Sequence, residues 1–443
     1  MANPIPNLFK VPELKSKILF TLMVLLIYRF GAHITVPGVD FVALEVVFGQ
    51  FSDTLLGVYD LFVGGALSRA TVLALGIMPY ISASIMFQLL AAVFPTIEKM
   101  QKEGEDGRKK LTQWTRYATI VLAAMQGIGY AMFLQTMNSG AEVQVVRDTG
   151  FMFVATTALI LTMGAVFVMW LGEQITERGI GNGMSLLIFF SIIQGFPGAV
   201  VTTWEQVTTG VISWVAVVIL VLVMVAVIAG VVAMTMAARK IPVQIPRKVM
   251  GRGRVREGQK SFIPLRINSA GVMPIIFAQS IIIIPGTAAQ FSSIEFLRTI
   301  SAELQPGAWL YNLLYALLIL FFTYFYTSII FNPVDLAENL KKQGGFVPGV
   351  KPGARTAEYI DYVLSRVTIV GAVYLALIAL LPFWIIGAFG LGQTFFFGGT
   401  SLLIVVGVAL DTVQQMQQHL LLRHYEGFMK KGRVRFRGRQ RFM

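Results

Sequence analysis

The sequence predicts an all-α integral membrane protein with ten transmembrane helices, and three observations carry the prediction. Of its 443 residues, 56% are hydrophobic and 13% charged, a balance that no soluble domain of this size tolerates on its surface. Apolar runs of about twenty residues, the length that spans a bilayer core, begin near residues 18, 72, 116, 151, 184, 211, 269, 309, 366 and 400. Residues 76–85 and 271–280 form an internal repeat, with identities at Gly76/Gly271, Met78/Met273, Pro79/Pro274, Ile81/Ile276 and Ala83/Ala278. In each copy a glycine and a proline mark the start of a helix. Corresponding helices of two related halves often face each other across a functional site.

Taken in order, the run at 18–28 continues into Arg29 and His33 with no small-residue cleavage pattern, so it reads as a first span and not as a signal peptide. Residues 54–75 are apolar but interrupted by Asp60, Gly64, Gly65 and Arg69. That pattern predicts a short half-helix entering from outside. Ten spans put both termini on one side. With that side cytoplasmic, the outward segments carry only Arg69, Arg147 and Arg298 as basic residues, against Asp40, Glu45, Asp53, Asp60, Glu142, Asp148, Glu205, Glu295 and Glu303. The positive-inside rule therefore places both termini in the cytoplasm.

The inward segments are long and basic. Between spans six and seven lie Arg239, Lys240, Arg247, Lys248, Arg252, Arg254, Arg256, Lys260 and Arg266, with Glu257 the single acid. Between spans eight and nine, Lys341-Lys342-Gln343-Gly344-Gly345-Phe346-Val347-Pro348-Gly349-Val350-Lys351-Pro352-Gly353 predicts tight turns and a projecting loop suited to a partner. The C-terminal alternation Arg433, Arg435, Arg437, Arg439, Arg441 fits no helical face and predicts an extended or disordered basic tail. The net charge of +13 is explained by membrane orientation, and an acidic partner such as RNA is the other reading.

Composition excludes several chemistries. There are no cysteines and only three histidines, His33, His419 and His424, which are scattered. Thiolate metal sites, disulfides and cysteine nucleophiles are therefore absent. No metalloprotease, serine-hydrolase or phosphate-loop motif is found, and the Gly179-Ile180-Gly181-Asn182-Gly183 run follows a span, so it reads as a turn. Span centres are nearly free of ionisable groups: Glu173, Glu177 and Arg178 end span four, Asp411 lies in the inward half of span ten, and Arg29 lies toward the outer end of span one. They read as structural charges, whereas a secondary transporter would need an intramembrane coupling charge and an intramembrane enzyme an acid pair or nucleophile. Ile77 with Ile81, and Met184 with Ile188, are four apart and share helix faces. Periodicity alone assigns them to ordinary packing, with pore lining as the alternative.

Several longer motifs are more specific. Gly64-Gly65-Ala66-Leu67-Ser68-Arg69-Ala70 followed by residues 76–85, Gly172-Glu173-Gln174-Ile175-Thr176-Glu177-Arg178-Gly179, Phe331-Asn332-Pro333, Phe346-Val347-Pro348-Gly349 and Phe397-Gly398-Gly399-Thr400-Ser401-Leu402 occur in order along nearly the whole chain. Together they resemble the bacterial SecY family, the channel subunit of the Sec protein-conducting complex. The resemblance implies two pseudo-symmetric, inverted five-helix halves, residues 1–205 and 206–425, with a basic tail at 426–443. It implies a non-enzymatic channel of the inner membrane that passes unfolded chains, binds signal sequences and releases apolar segments sideways between spans two and seven. Ile77, Ile81, Met184, Ile188, Ile276 and Ile404 match the family's apolar pore ring, with Met184 replacing the more usual isoleucine. Such a ring blocks ions by dewetting and yields to a passing chain.

By the same resemblance, residues 55–70 correspond to a plug that includes Leu55, Leu56, Val58, Tyr59, Asp60, Leu61, Phe62, Gly64 and Gly65, with Asp60 and the glycines suggesting a mobile, partly wet element. The lateral gate takes in Ile81, Ser84, Ile85, Gln88, Ile276, Gln279 and Ser280. Arg247, Lys248, Arg252, Arg254, Arg256, Lys351 and Arg355 fall on loops that dock the ribosome, through its RNA and proteins, or the SecA motor. Lys351 stands where the family commonly has arginine, and an ammonium does not reproduce a bidentate phosphate contact. The implied partners are small SecE-like and SecG-like membrane subunits, SecA, the ribosome, signal peptides and nascent chains. The arginine alternation of the tail is no hallmark of that family; its charge alone suits anionic lipid first and RNA second. No cofactor is implied.

Overall fold

The computed structural model describes residues 11–51, 54–138, 144–244, 249–250, 254–255, 260–290, 303–389 and 399–431. Helices dominate it: α1 (Pro12–Gly31), α2 (Phe41–Phe48), α3 (Leu55–Val63), α4 (Met78–Val93), α5 (Pro95–Lys102), α6 (Glu105–Met137), α7 (Phe151–Arg178) and α8 (Gly183–Thr208) make up the first part. After α9 (Trp214–Met236) come four short strands, β1 (Ala238–Gln244), β2 (Val249–Met250), β3 (Arg254–Val255) and β4 (Lys260–Arg266). The chain continues through α10 (Met273–Gln290), α11 (Trp309–Ile330), α12 (Pro333–Lys342), α13 (Ala354–Phe389) and α14 (Gly399–Lys431). Among the described residues, α6, α7, α8, α9, α11 and α13 are each long and apolar enough to cross a membrane, and the bent pair α4/α5 makes a seventh candidate. In the most apolar stretch of α9 only 6% of residues are buried within the chain. A helix apolar all round and this uncovered needs an apolar solvent.

Local chemistry sets the helix boundaries. Asn182 Oδ1 accepts from Met184 N at 3.1 Å to cap α8, and Asn332 Oδ1 accepts from Val334 N at 3.1 Å to cap α12, which has Pro333 at its first position. The repeat appears in the backbone: Gly76 and Gly271 both take left-handed φ values, +53° and +64°, immediately before the paired Met-Pro helix starts. A side chain at either position would be strained. The two repeat helices run in opposite senses, α4 toward the end that holds the strands and basic loops, α10 away from it, and they pack against each other. That strand-bearing end is the basic end of the molecule.

Several boundaries differ from the sequence-based expectation. The second span begins at Met78, because residues 72–77 are turns, and it breaks at Phe94–Pro95, where α5 departs at 111°. The α5 segment Pro-Thr-Ile-Glu-Lys-Met-Gln-Lys is too polar to continue through hydrocarbon. The half-helix stops at Val63 and not near residue 70, because Gly64 adopts φ +74° as a left-handed C-cap. The all-α expectation is corrected at the basic end, where β1 pairs antiparallel with β4 and β2 with β3. There Phe346 and Gln244 exchange backbone hydrogen bonds of 2.9 Å, tying the two predicted basic loops together. Ile241, Val243, Leu265, Val347 and Ile360 give this end a small core of its own. At the C-terminus helix α14 continues to Lys431, six residues into the basic tail counted from residue 426. The arginine alternation from Arg433 lies outside the described residues.

Candidate functional site

A cavity of about 370 Å³ opens between the repeat helices α4 and α10 and helices α6, α7 and α8. Its apolar surface comes from Ile81, Met184, Ile188, Met273, Ile276 and Phe277. Ile81, Ile188 and Ile276 are 5%, 1% and 2% exposed, so each shows the cavity one edge and gives the rest of its surface to the core. Four of the six predicted ring residues, Ile81, Met184, Ile188 and Ile276, thus meet on one surface. Ile77 and Ile404 join the same hydrophobic cluster without lining the cavity. Ser84 and Gln88, one and two turns along α4 from Ile81, line its side, and Gln88 Nε2 donates to Ser84 Oγ at 3.0 Å. Ile85 is buried beside them. Gln279 and Ser280 are buried too, but Gln279 Oε1 accepts from Tyr311 on α11 at 3.3 Å and Ser280 Oγ donates to Ile276 O at 2.7 Å. Neither lines the cavity.

The opposite wall is polar. Arg116 on α6 donates from Nε to Glu173 Oε1 at 2.8 Å and from Nη2 to Glu173 Oε2 at 2.9 Å, a bidentate geometry that fixes both side chains. This identifies Glu173 as a structural charge, as the sequence suggested, though its partner was missed. A lone arginine at the start of the third apolar run was the available signal. Asp411 lies elsewhere, on a cavity of about 10 Å³ shared with Asn268 and Thr235.

Beyond the apolar layer, away from the basic end, sits α3. Leu55, Leu56, Val58, Tyr59, Phe62 and Val63 are all buried, and the helix packs on α8 and α10. The register fixes its level: Gly64 O accepts from Gln194 Nε2 at 2.6 Å, and Tyr28 OH contacts both Val63 O (3.3 Å) and Ser191 Oγ (2.9 Å), about one turn past Ile188 on α8. Leu61, half-buried, faces Gly195. Asp60 and the glycines were expected to make this element loose, but they build a closed turn. Asp60 Oδ1 accepts from Leu67 N and Ser68 N, both at 2.9 Å, while Leu67 O accepts from Tyr130 OH at 2.6 Å. Gly65, also at positive φ, lies in the same turn. At the other end of α3, Leu55 N donates to Gln305 Oε1 at 3.2 Å, and the Leu55 side chain occupies the space a Cβ on Gly286 of α10 would need.

Of the docking residues, Arg247, Lys248, Arg252 and Arg256 lie outside the described residues, and Arg254 lies on β3. Lys351 and Arg355 are exposed, and Arg355 pairs with Glu358 at 3.5 Å. Among the described residues no group of histidines and acids could hold a metal.

Fold and site define a polytopic helical membrane protein with a buried apolar layer, a cavity on one side and a buried half-helix on the other. Comparison with known proteins makes this particular. The SecY family model matches residues 71–413. The protein translocase subunit SecY of Aquifex aeolicus is 43% identical over 432 residues, covering 97% of this chain and all of that one. Its Escherichia coli K12 counterpart is 46% identical over 431 residues, 96% of each chain. Among solved structures, one of a protein-conducting channel superposes with TM-score 0.63 at 18% identity, and one of a SecY protein concerned with its plug domain with TM-score 0.66 at 16% identity. Each covers 98% of this chain and 100% of the other. The chain belongs to the SecY family, a family of channels and not of enzymes.

Proposed function

We propose that this chain is the protein-conducting channel subunit of a secretory translocase, one that passes unfolded polypeptides and releases hydrophobic segments laterally between α4 and α10. The observation that carries this reading is the stack of cavity, apolar layer and buried half-helix at the junction of the two repeat helices. A ring formed by Ile77, Ile81, Met184, Ile188, Ile276 and Ile404 offers a passing chain no charge or hydrogen bond, so it seals against ions without binding substrate. Met184, unbranched and half-buried, adapts its shape most readily. Helix α3 acts as the plug beyond the ring, and the contact between α4 and α10 is the closed lateral gate. Of the gate residues on α4, Ile81, Ser84 and Gln88 face the cavity, while Gln279 ties α10 to α11 through Tyr311.

The same reading takes the helices as ten spans in two inverted halves, residues 1–205 and 206–425, in the bacterial inner membrane with both termini cytoplasmic. The opposed directions of α4 and α10 support it. The basic end then faces the cytoplasm and docks the ribosome or a SecA motor through Arg247, Lys248, Arg252, Arg254, Arg256, Lys351 and Arg355. Small SecE-like and SecG-like subunits complete the complex, and anionic lipid meets the basic tail. The chain itself supplies no energy; translation, the motor or the membrane potential does.

Ring residues can be tested by conductance. The double substitution Ile81→Ser with Ile276→Ser, in the complex reconstituted into planar bilayers, raises resting ion leak by at least about tenfold, because a polar ring no longer dewets. An unchanged leak overturns the ring assignment.

A further inference from the structure

We propose that Asp411 and Asn268 hold a single water molecule between them, and that this bridge pins the pivot on which helix α10 turns. The inference rests on the channel reading above and gives Asp411 a positioning role within it. The two residues line a cavity of about 10 Å³ together with Thr235, Gly271 and Val272, room for about one water. Asn268 is 7% exposed, and its Oδ1 has no hydrogen-bond partner among the described residues. Asp411, half-buried on α14, forms no ion pair among them, and Arg266 attracts it only from a distance. The hydroxyls nearby are turned elsewhere. Thr235 Oγ1 donates to Val231 O at 2.8 Å, and the Tyr374 hydroxyl lies against Gly230 of α9. Two oxygen acceptors therefore face one small space, and a buried acceptor left unpaired is costly. A water supplies the missing donors, one O–H to the Asp411 carboxylate and the other to Asn268 Oδ1.

The bridge sits between a fixed point and a movable helix. On the fixed side, Ile267 N donates to Ala237 O of the β1–β4 ribbon at 3.0 Å, and Ile267 O occupies the space a Cβ on Gly371 of α13 would need. On the other side α10 begins at Met273. Between them Gly271 takes φ +64°, and a Cβ there would stand 3.6 Å from Asp411 Oδ2. Val272, the next residue, fills the space a Cβ on Gly407 of α14 would need. Helix α14 thus grips the start of α10 twice, by packing at Gly407 and through the water at Asp411, one turn apart. Without the bridge only the packing remains, and α10 parts from α4 more readily.

The test measures, in the reconstituted complex, the translocation rate of a precursor lacking its apolar leading segment relative to the same precursor carrying it. A gate that parts more readily needs less help from that segment, so the ratio rises. Asp411→Leu and Asn268→Leu are each expected to raise it about fivefold. The double variant raises it no further, because one water serves both residues. Asp411→Asn, which still bonds the water, stays within about twofold of the wild type. Unchanged ratios in both leucine variants, or single effects that multiply in the double variant, overturn the bridge. Loosening by Asp411→Asn equal to that by Asp411→Leu would assign the role to charge instead. A wild-type ratio that changes when N-methylglucamine replaces sodium and potassium would put a metal cation where the water is proposed. If the wild-type chain translocates neither precursor, the channel reading itself fails.

Discussion

The two sides of the apolar layer are built on opposite plans. On the side away from the basic end, α3 is buried against α8 and α10, and its C-terminal turn is fastened by Tyr28, Asp60, Tyr130 and Gln194 through bonds of 2.6 to 3.3 Å. On the other side the chain leaves a cavity of about 370 Å³ between an apolar wall and a charged one. The fastened side has little room to move except at its start, where Leu55 relies on α10 for its socket and on Gln305 for its backbone bond. In the proposed channel, the inner side receives and the outer side seals. The seal depends on the helix that forms half of the exit, so a displaced α10 takes the Leu55 socket with it.

Substitutions can break this contrast, beginning with the strongest. Leu55→Asp buries a carboxylate at a position now 0% exposed, which disfavours the packed plug by on the order of 3–5 kcal/mol. Aspartate is well tolerated in a first helical turn, so the helix survives and the loss lies in its seat. The expected outcome is an ion leak raised at least about tenfold in planar bilayers; wild-type leak would show that Leu55 does not hold the seal. Tyr130→Phe removes the 2.6 Å bond to Leu67 O, which keeps its 3.0 Å bond from Ala70 N, so the loss is about 0.5–1.5 kcal/mol. Limited proteolysis should then cut residues 64–70 sooner than in the wild type.

Smaller effects follow at the socket and on the inner wall. Gly286→Ala puts a methyl where Leu55 Cδ1 now lies; because that atom ends a flexible side chain, the cost is about 1 kcal/mol. A leak smaller than that of Leu55→Asp but above wild type is expected. Arg116→Gln breaks the pair with Glu173, whose side chains are 42% and 14% exposed, so solvent limits the loss to about 1 kcal/mol or less. The melting temperature of the purified complex should fall by a few degrees at most, with no increase in resting leak. A leak there equal to that of Leu55→Asp would mean that the two sides are not separate.

Much of this architecture was legible in the sequence, because membrane solvent forces simple patterns. The apolar runs located the helices, and the repeat located the pair that meets at the site, since Gly76 and Gly271 are needed for their left-handed φ. What was not legible depends on contacts between distant residues. Asp60 looked like a wet interruption because its partners, the backbone amides of Leu67 and Ser68, exist only once Gly64 and Gly65 turn the chain back. The 111° break after Phe94 lay in a run whose hydropathy fades gradually, and only the helix axis shows where it ends. The β1–β4 ribbon was hidden by its basic residues, which mask the alternation of Ile241 and Val243. Gln279, assigned to the gate by the family resemblance, turns instead to Tyr311, because α10 has α11 beside it.

The chain has no cysteine, so single introduced thiols report the two sides directly. The decisive measurement is labelling of Ser84→Cys and, in a separate chain, Val46→Cys by a membrane-impermeant maleimide added to one side of oriented vesicles. Ser84 lines the cavity and Val46 is 74% exposed on α2, on the far side of the apolar layer in the proposed topology. The account predicts that Ser84→Cys reacts only from the cytoplasmic side and Val46→Cys only from the opposite side. Labelling of Ser84→Cys from the outside in the resting complex would contradict a sealed layer between them.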